Sequence, residues 1–140
     1  MCIMKAVFND LQDYSSALDG TSVLDEKELG SVLESLRNRE PFACELEGDN
    51  GYKLTMGIGK EVGFVQHSSI DGDSAYLVAL APGFHIGELD EEQKYVEFLC
   101  GNTPSPIAKR YILPFEILMQ IATYFLETGE RSPALSWEEI

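Results

Sequence analysis

Residues 112–137, ILPFEILMQIATYFLETGERSPALSW, form the longest strongly patterned stretch of the chain. Apolar side chains in its first half recur three, four and seven positions apart, as one face of an α-helix requires: Phe115, Leu118, Met119, Ala122, Phe125 and Leu126. Pro114 suits the first helical position, and Gly129 suits the left-handed residue just past a helix end. The pattern therefore predicts a helix over residues 114–128. Its wide apolar face, which Ile117, Ile121 and Tyr124 extend, predicts burial against a sheet.

A second motif follows this helix. The segment TGER, residues 128–131, is followed by Pro133, by the lone tryptophan Trp137 and by Glu138. An indole near the end of a chain can pack back onto a sheet, and a guanidinium beside it can stack or pair. The sequence therefore predicts a structural latch made of Arg131 and Trp137.

The same residues resemble a family of bacterial immunity proteins. The resemblance rests on the helix ending in Phe-Leu-x-Thr-Gly, on the following arginine, proline and Trp-Glu, and on Gly101-Asn102 and residues 112–114 before them. It is strongest over residues 95–139. Such proteins are encoded beside polymorphic toxins, and their partners are often nucleic-acid deaminase toxin domains. The resemblance implies that the zinc and the catalytic residues of a zinc-dependent deaminase would belong to the toxin and not to this chain.

Charge is the outlying feature of the composition. The 140 residues, of a length suited to a single domain over residues 1–140, include 24 acidic and 10 basic side chains and carry a formal net charge of −14. Such a field repels nucleic acid and anionic membranes, and it attracts a basic partner. The alternative is that the carboxylates only keep the protein soluble.

Several observations predict a cytoplasmic protein. The first residues, MCIMKAVF, lack the long apolar core of a signal peptide, and no run approaches the ~18 apolar residues of a membrane-spanning helix. Cys2, Cys44 and Cys100 are odd in number and scattered, which argues against a disulfide framework and fits a reducing compartment.

The remaining segments predict an α+β fold. Asp25 and Glu28 form a capping box that begins a helix over residues 26–38. From residue 42 to residue 100 the apolar period changes to two, with a hairpin turn at Asp49-Asn50-Gly51. Strands are expected at residues 3–8, 42–46, 52–58, 62–67, 75–80 and 95–99, with a short one possible at 109–112. Residues 101–106, with two prolines, are expected to form a constrained turn. The predicted architecture is an antiparallel β-meander with two main helices packed on one face.

The sequence contains no recognisable motif for catalysis or for metal binding. Cys2, His67, His85 and Cys100 show no metal-ligand spacing, and the segment GIGK at residues 57–60 lacks the spacing of a phosphate loop. The segment DGD at residues 71–73 lacks the later ligands of a calcium loop and predicts a turn. Neither histidine has the sequence neighbours of a catalytic triad. The sequence predicts a protein without enzymatic activity, with no metal and no cofactor.

The leading functional prediction is a monomeric immunity protein that covers the active site of a cognate toxin domain in a 1:1 complex. The toxin is expected to be a cytidine deaminase, and a nuclease would satisfy the charge argument equally well. The expected contact residues are carboxylates in the acidic turns, hairpin and loop: Glu45, Glu47, Asp49, Asp71, Asp73, Glu88, Asp90, Glu91 and Glu92. The main alternative is a secretion chaperone, which would act as a homodimer, and a nucleic-acid mimic or regulatory module with another target is a third.

Overall fold

The structure, a computed structural model, describes residues 5–13, 15–80 and 95–140. Within these residues there are two α-helices, ten strands and one short 3-10 helix at Lys109–Tyr111. The α-helices are α1 (Glu26–Leu36) and α2 (Phe115–Thr128). The strands are β1 (Ala6–Asp10), β2 (Thr21–Val23), β3 (Phe42–Gly48), β4 (Tyr52–Gly59), β5 (Val62–Ser69), β6 (Leu77–Leu80), β7 (Tyr95–Cys100), β8 (Thr103–Ala108), β9 (Leu113–Pro114) and β10 (Ser136–Glu139).

The strands form a single sheet over the described ranges. Its main path runs β10-β6-β5-β4-β3-β1-β2, while β7 and β8 form a hairpin beside β3 and β9 pairs with β5. The pairs along this path are antiparallel, and the contact between β3 and β7 is a single parallel bridge from Phe42 to Leu99. The predicted α+β meander is confirmed.

The two helices cover one face of this sheet, called the helix face below. Because side chains alternate along a strand, Phe42, Cys44 and Leu46 of β3 point to this face together with the apolar residues of β4 opposite them. These side chains and the buried stripes of both helices belong to one core cluster. The apolar period of two in the strands and the helical period in α2 therefore meet in the same core.

The ends of the helices follow the local sequence signals. The Asp25 side chain accepts a hydrogen bond from the Glu28 backbone N–H at 2.8 Å, and the Glu28 carboxylate accepts one from the Leu24 N–H at 3.0 Å. This pair satisfies donors that the first helical turn leaves free. Gly129 ends α2 with a φ of 76°, a left-handed conformation that glycine adopts without a Cβ clash. The predicted boundaries of both helices are right to within two residues.

The opposite face of the sheet, called the open face below, is partly covered by the β7–β8 hairpin. Phe64, Val96, Phe98 and Ile112 form a second buried cluster there. The rings of Phe64 and Phe98 meet edge to face at 5.1 Å. A side chain at Gly57 would place its Cβ 2.4 Å from the Phe64 ring, so glycine is needed for this contact.

Several segments differ from the sequence-based expectations. Only Gly101 and Asn102 form the turn after β7, with φ values of 57° and 67°, and the proline-rich residues that follow form β8. An edge strand tolerates proline, because one side of its backbone needs no partner. Residues 109–111 are 3-10 helix instead of strand, and the short strands β2, β9 and β10 were not predicted.

A buried ion pair joins β1 to the loop after α1. The carboxylate of Asp10 is fully buried and lies 2.8 Å from the Arg39 guanidinium, and it also accepts hydrogen bonds from the backbone N–H groups of Gln12 and Asp13. Arg39 stacks on the Phe42 ring at 3.9 Å. A buried carboxylate with this many partners is a structural group, since its charge is compensated inside the fold.

Candidate functional site

One end of the sheet, called the turn end below, brings together several acidic residues that are distant in sequence. Asp49 lies in the β3–β4 turn, and Asp71 and Asp73 lie in the β5–β6 turn, all three exposed. A hydrogen bond of 2.9 Å from the Ile70 N–H to the Gly51 carbonyl joins the two turns. The Asp73 N–H donates to the Asp71 carboxylate at 3.0 Å and, as the main cause, lowers the pKa of Asp71. Asp71 is therefore ionised throughout the physiological range.

Exposed apolar side chains lie among these carboxylates. Tyr52, Ile70 and Tyr76 are 40%, 41% and 42% exposed, and they belong to the same two turns or to the strand end beside them. Large half-exposed side chains that are surrounded by polar residues are typical of the anchors in protein interfaces. The turn end therefore combines apolar anchors with negative charge.

A groove of about 640 Å³ opens at the turn end. It lies past the C-terminal end of α2, where the helix stops covering the helix face. Its lining residues come from four strands (β4, β5, β6 and β10), from the turn before β6 and from the segment between α2 and β10. They are Tyr52, His67, Ser74, Ala75, Leu77, Gly129, Glu130, Arg131, Ser132, Pro133 and Trp137. The side chain of Asn50 donates a 2.9 Å hydrogen bond to the Gly129 carbonyl and fixes the helix end against the β3–β4 turn.

His67 lies among the aromatic residues of this groove. Its ring stacks on Tyr52 at 5.1 Å and meets Phe125 and Trp137 edge to face at 5.9 and 6.3 Å. Burial, with a smaller contribution from the positive charge of Arg131, lowers the pKa of His67 from 6.5 to about 4. The imidazole is therefore neutral at pH 7, and its Nε2 atom is buried without a hydrogen-bond partner among the residues that the structure describes.

The C-terminal segment forms the far wall of the groove. Trp137 lies in β10 opposite Ala79 of β6, and its indole N–H donates a hydrogen bond of 3.0 Å to the Ser132 carbonyl. The guanidinium of Arg131 lies 6.0 Å from the centre of the Trp137 ring system, at the outer limit of a cation–π contact. These contacts hold the tail against the sheet, and the latch proposed for Arg131 and Trp137 is consistent with them.

The match to a known family covers most of this architecture. The family model described as Immunity protein Imm1 matches residues 19–139, which include both helices and the groove. The chain belongs to the Imm1 family of immunity proteins. A search of curated proteins found no significant match. Membership implies that this immunity protein has a cognate toxin as its partner.

Glu45 and Glu47 of the immunity protein lie apart from the turn end, on the open face of the sheet. Lys53 is paired directly opposite Glu47 but forms its ion pair diagonally with Glu45, at 3.1 Å. Burial and a hydrogen bond with Glu45 raise the pKa of Glu47 above its ordinary value. These two carboxylates are half-buried, whereas Asp49, Asp71 and Asp73 are exposed.

The remaining predicted contact residues, Glu88, Asp90, Glu91 and Glu92, lie outside the described residues, as do Cys2 and His85. Among the residues that the structure describes, no group of three His, Cys, Asp or Glu side chains could hold a metal ion. Within the same ranges, no helix of the immunity protein is long and apolar enough to cross a membrane.

Sequence reasoning did not single out Tyr52, His67 or Tyr76 as site residues. Tyr52 and His67 occupy alternate strand positions on the helix face, so their pattern is that of core residues. Their position distinguishes them from other core residues, because both lie near the ends of strands beside a turn, where α2 no longer covers the sheet.

We expect His67 to make the immunity protein less stable in mild acid. The unfolded chain binds a proton at this side chain near pH 6.5, whereas the folded chain does so only near pH 4. The unfolding free energy should therefore fall by about 3 kcal/mol, beyond the general acid effect, as the pH decreases through this window. Chemical denaturation of the wild-type protein and of His67→Phe at several pH values isolates the effect, since other groups cancel in the difference. A constant difference between pH 7 and pH 4 would contradict the prediction.

Proposed function

We propose that this immunity protein binds a cognate toxin domain, a nucleic-acid deaminase acting on cytidine, and inhibits it by covering its active site with an acidic surface. The family match supports a toxin partner. The deaminase is supported by the resemblance of residues 95–139 described above. The net charge of −14 supports a basic target surface. A nuclease toxin would present a similar surface.

The observation that carries the proposal is the convergence at the turn end. Three exposed carboxylates, Asp49, Asp71 and Asp73, lie in the two turns that flank the exposed side chains of Tyr52 and Tyr76. Enzymes that act on nucleic acid present a positively charged substrate groove. Negative charge speeds the encounter with such a groove, and buried aromatic anchors then slow dissociation.

The other carboxylates are proposed as further contacts. Glu45 and Glu47 would meet the toxin through the open face, and residues 88, 90, 91 and 92 would add charge. We propose that the immunity protein acts as a cytoplasmic monomer in a 1:1 complex and supplies no catalytic residue. The catalytic zinc of a deaminase would belong to the toxin.

The partner is identified by a tagged pull-down from the native cytosol, followed by mass spectrometry at low and high salt. Recovery of a toxin catalytic domain, inhibited by the purified immunity protein in an activity assay, is the expected result. The motifs of that domain then distinguish a deaminase from a nuclease. Recovery of a secreted effector that is held by its non-catalytic segment, together with a homodimeric state of this chain, would indicate a secretion chaperone instead.

Charge steering gives a kinetic prediction. Replacing Asp49, Asp71 and Asp73 together by Asn should slow association with the recovered toxin domain by about tenfold at low salt and change the dissociation rate about twofold or less. Asparagine keeps the oxygen that accepts the turn hydrogen bonds, so the turns should stay folded. Stopped-flow mixing at several salt concentrations measures both rates.

The matched control neutralises three exposed carboxylates elsewhere, by Gln at Glu34, Glu40 and Glu116. Glu40 precedes β3 and Glu116 begins α2, at the end of the sheet opposite the turn end. Both triple variants change the net charge equally. If the two variants slow association to the same extent, the effect comes from net charge and the turn end is not the contact surface.

A further inference from the structure

The groove at the turn end is lined by aromatic side chains, unlike the acidic surface around it. Its walls include two aromatic side chains, Tyr52 and Trp137, and the neutral imidazole of His67 lies between them. Its volume of about 640 Å³ is within the range of sites that enclose a ligand group. The deep burial of His67 and its unpartnered Nε2 also set the groove apart from an ordinary surface depression.

Three features of the groove favour a positively charged occupant. The C-terminal end of α2, which carries the negative end of the helix dipole, opens onto the groove at Gly129, and the last turn of this helix contains no basic residue. The carboxylate of Glu130 lines the rim, and Asp71 and Asp73 lie in the adjacent turn. Aromatic faces attract cations, and guanidinium groups stack on them best.

Two basic side chains line the groove, and neither His67 nor the exposed Arg131 holds a positive charge fixed inside it. His67 is uncharged at neutral pH and does not repel a cation. Arg131 is exposed, and its guanidinium lies 6.0 Å from the centre of the Trp137 ring system. The aromatic wall therefore already has one guanidinium at its outer edge. The exposed position of Arg131 leaves this side chain able to turn towards solvent when a second guanidinium enters.

We propose that the groove receives an arginine side chain of the toxin domain, held against the aromatic wall that Tyr52, His67 and Trp137 form and paired with Glu130. This inference rests on the proposed function, since it names the toxin group that the acidic surface captures. Arginine residues line the substrate grooves of enzymes that bind nucleic acid, so an inserted arginine would be withdrawn from its contact with the substrate phosphates.

The sole tryptophan provides a direct readout. Trp137 gives the one indole N–H signal in an NMR spectrum of the ¹⁵N-labelled protein, so the signal needs no further assignment. The probe is the blocked tripeptide acetyl-Gly-Arg-Gly-amide, titrated at roughly 20 mM ionic strength, where screening is weak. The matched probe contains citrulline, which has the shape of arginine without its charge.

The arginine peptide should shift the indole signal saturably and bind about three- to fivefold more tightly than the citrulline peptide. Glu130→Gln should weaken this binding about twofold, and Glu116→Gln, at the far end of α2, should leave it unchanged. Tyr52→Leu removes the aromatic wall and should reduce the arginine preference further. Equal responses to both peptides, or none to either, would overturn the proposal.

The toxin complex gives the second arm of the experiment. The arginine peptide should no longer shift the indole signal once the toxin domain is bound, because the groove is filled. A complex in which the peptide still binds at Trp137 would overturn this inference and leave the proposed function intact. If no toxin domain binds or is inhibited, the proposed function fails, and an arginine-selective groove would then require another basic partner.

Discussion

Gly63→Ala is expected to lower the free energy of unfolding by about 3 kcal/mol or more. A Cβ at this position of β5 would lie 2.4 Å from the backbone oxygen of Gly57 and 2.5 Å from Cδ1 of Leu118. The first contact is with the backbone of the neighbouring strand, which cannot move without disturbing the ladder between β4 and β5. The second is with α2, whose buried face packs directly on this glycine.

Gly30→Ala is the matched control, because it adds the same methyl group in open space. A Cβ at Gly30 meets no atom within 4 Å, and the residue lies inside α1. Alanine should stabilise this helix by about 0.5–1 kcal/mol. Urea denaturation of the two variants and the wild-type protein measures both changes. If both substitutions had similar small effects, the close packing of α2 on β5 would be wrong.

Trp137→Ala is expected to reduce the unfolding free energy by about 2–3 kcal/mol, less than the ~3–5 kcal/mol typical of a fully buried aromatic residue. The indole packs on the core cluster but remains partly exposed along the groove. Its loss also leaves the Ser132 carbonyl without the indole N–H donor. Thermal unfolding followed by circular dichroism provides the measurement.

Trp137→Phe separates the two contributions. Phenylalanine keeps an aromatic ring against the sheet and removes the N–H donor with only part of the ring area, so its cost should be smaller, about 1 kcal/mol. An unchanged melting temperature for Trp137→Ala, together with lost toxin binding, would show that Trp137 acts in the interface and not as a structural latch.

Local patterns in the sequence account for most of the fold. The spacing of Leu118 and Phe125 on one helical face, the left-handed Gly129 and the capping pair Asp25 and Glu28 each depend on residues within a few positions. The alternation in β3 and β4 likewise predicts which face is buried, and a tight turn predicts their antiparallel pairing. Such signals can be read along the chain because their energetic causes are local.

Edge strands were harder to predict. The residues of β8 contain Pro104 and Pro106, which by local preference indicate a turn. They form a strand because β7 offers hydrogen bonds on one side and the other side of an edge strand needs no hydrogen-bond partner. In β10, Trp137 and its neighbours gain strand structure only by pairing with β6, 56 to 62 residues earlier in the chain.

The sequence alone determined the family, the acidic character, the two helices and the main antiparallel hairpin of this protein, because these depend on composition and on short-range periodicity. The tertiary structure alone decided which residues share the turn end. Tyr52, His67 and Trp137 look like separate core positions in the sequence, and they become the walls of one groove because α2 ends at Gly129 before it covers them. The residue at which a helix ends can be predicted from the local sequence. The part of the sheet that the helix leaves uncovered cannot, because it consists of strands that come together from distant parts of the chain.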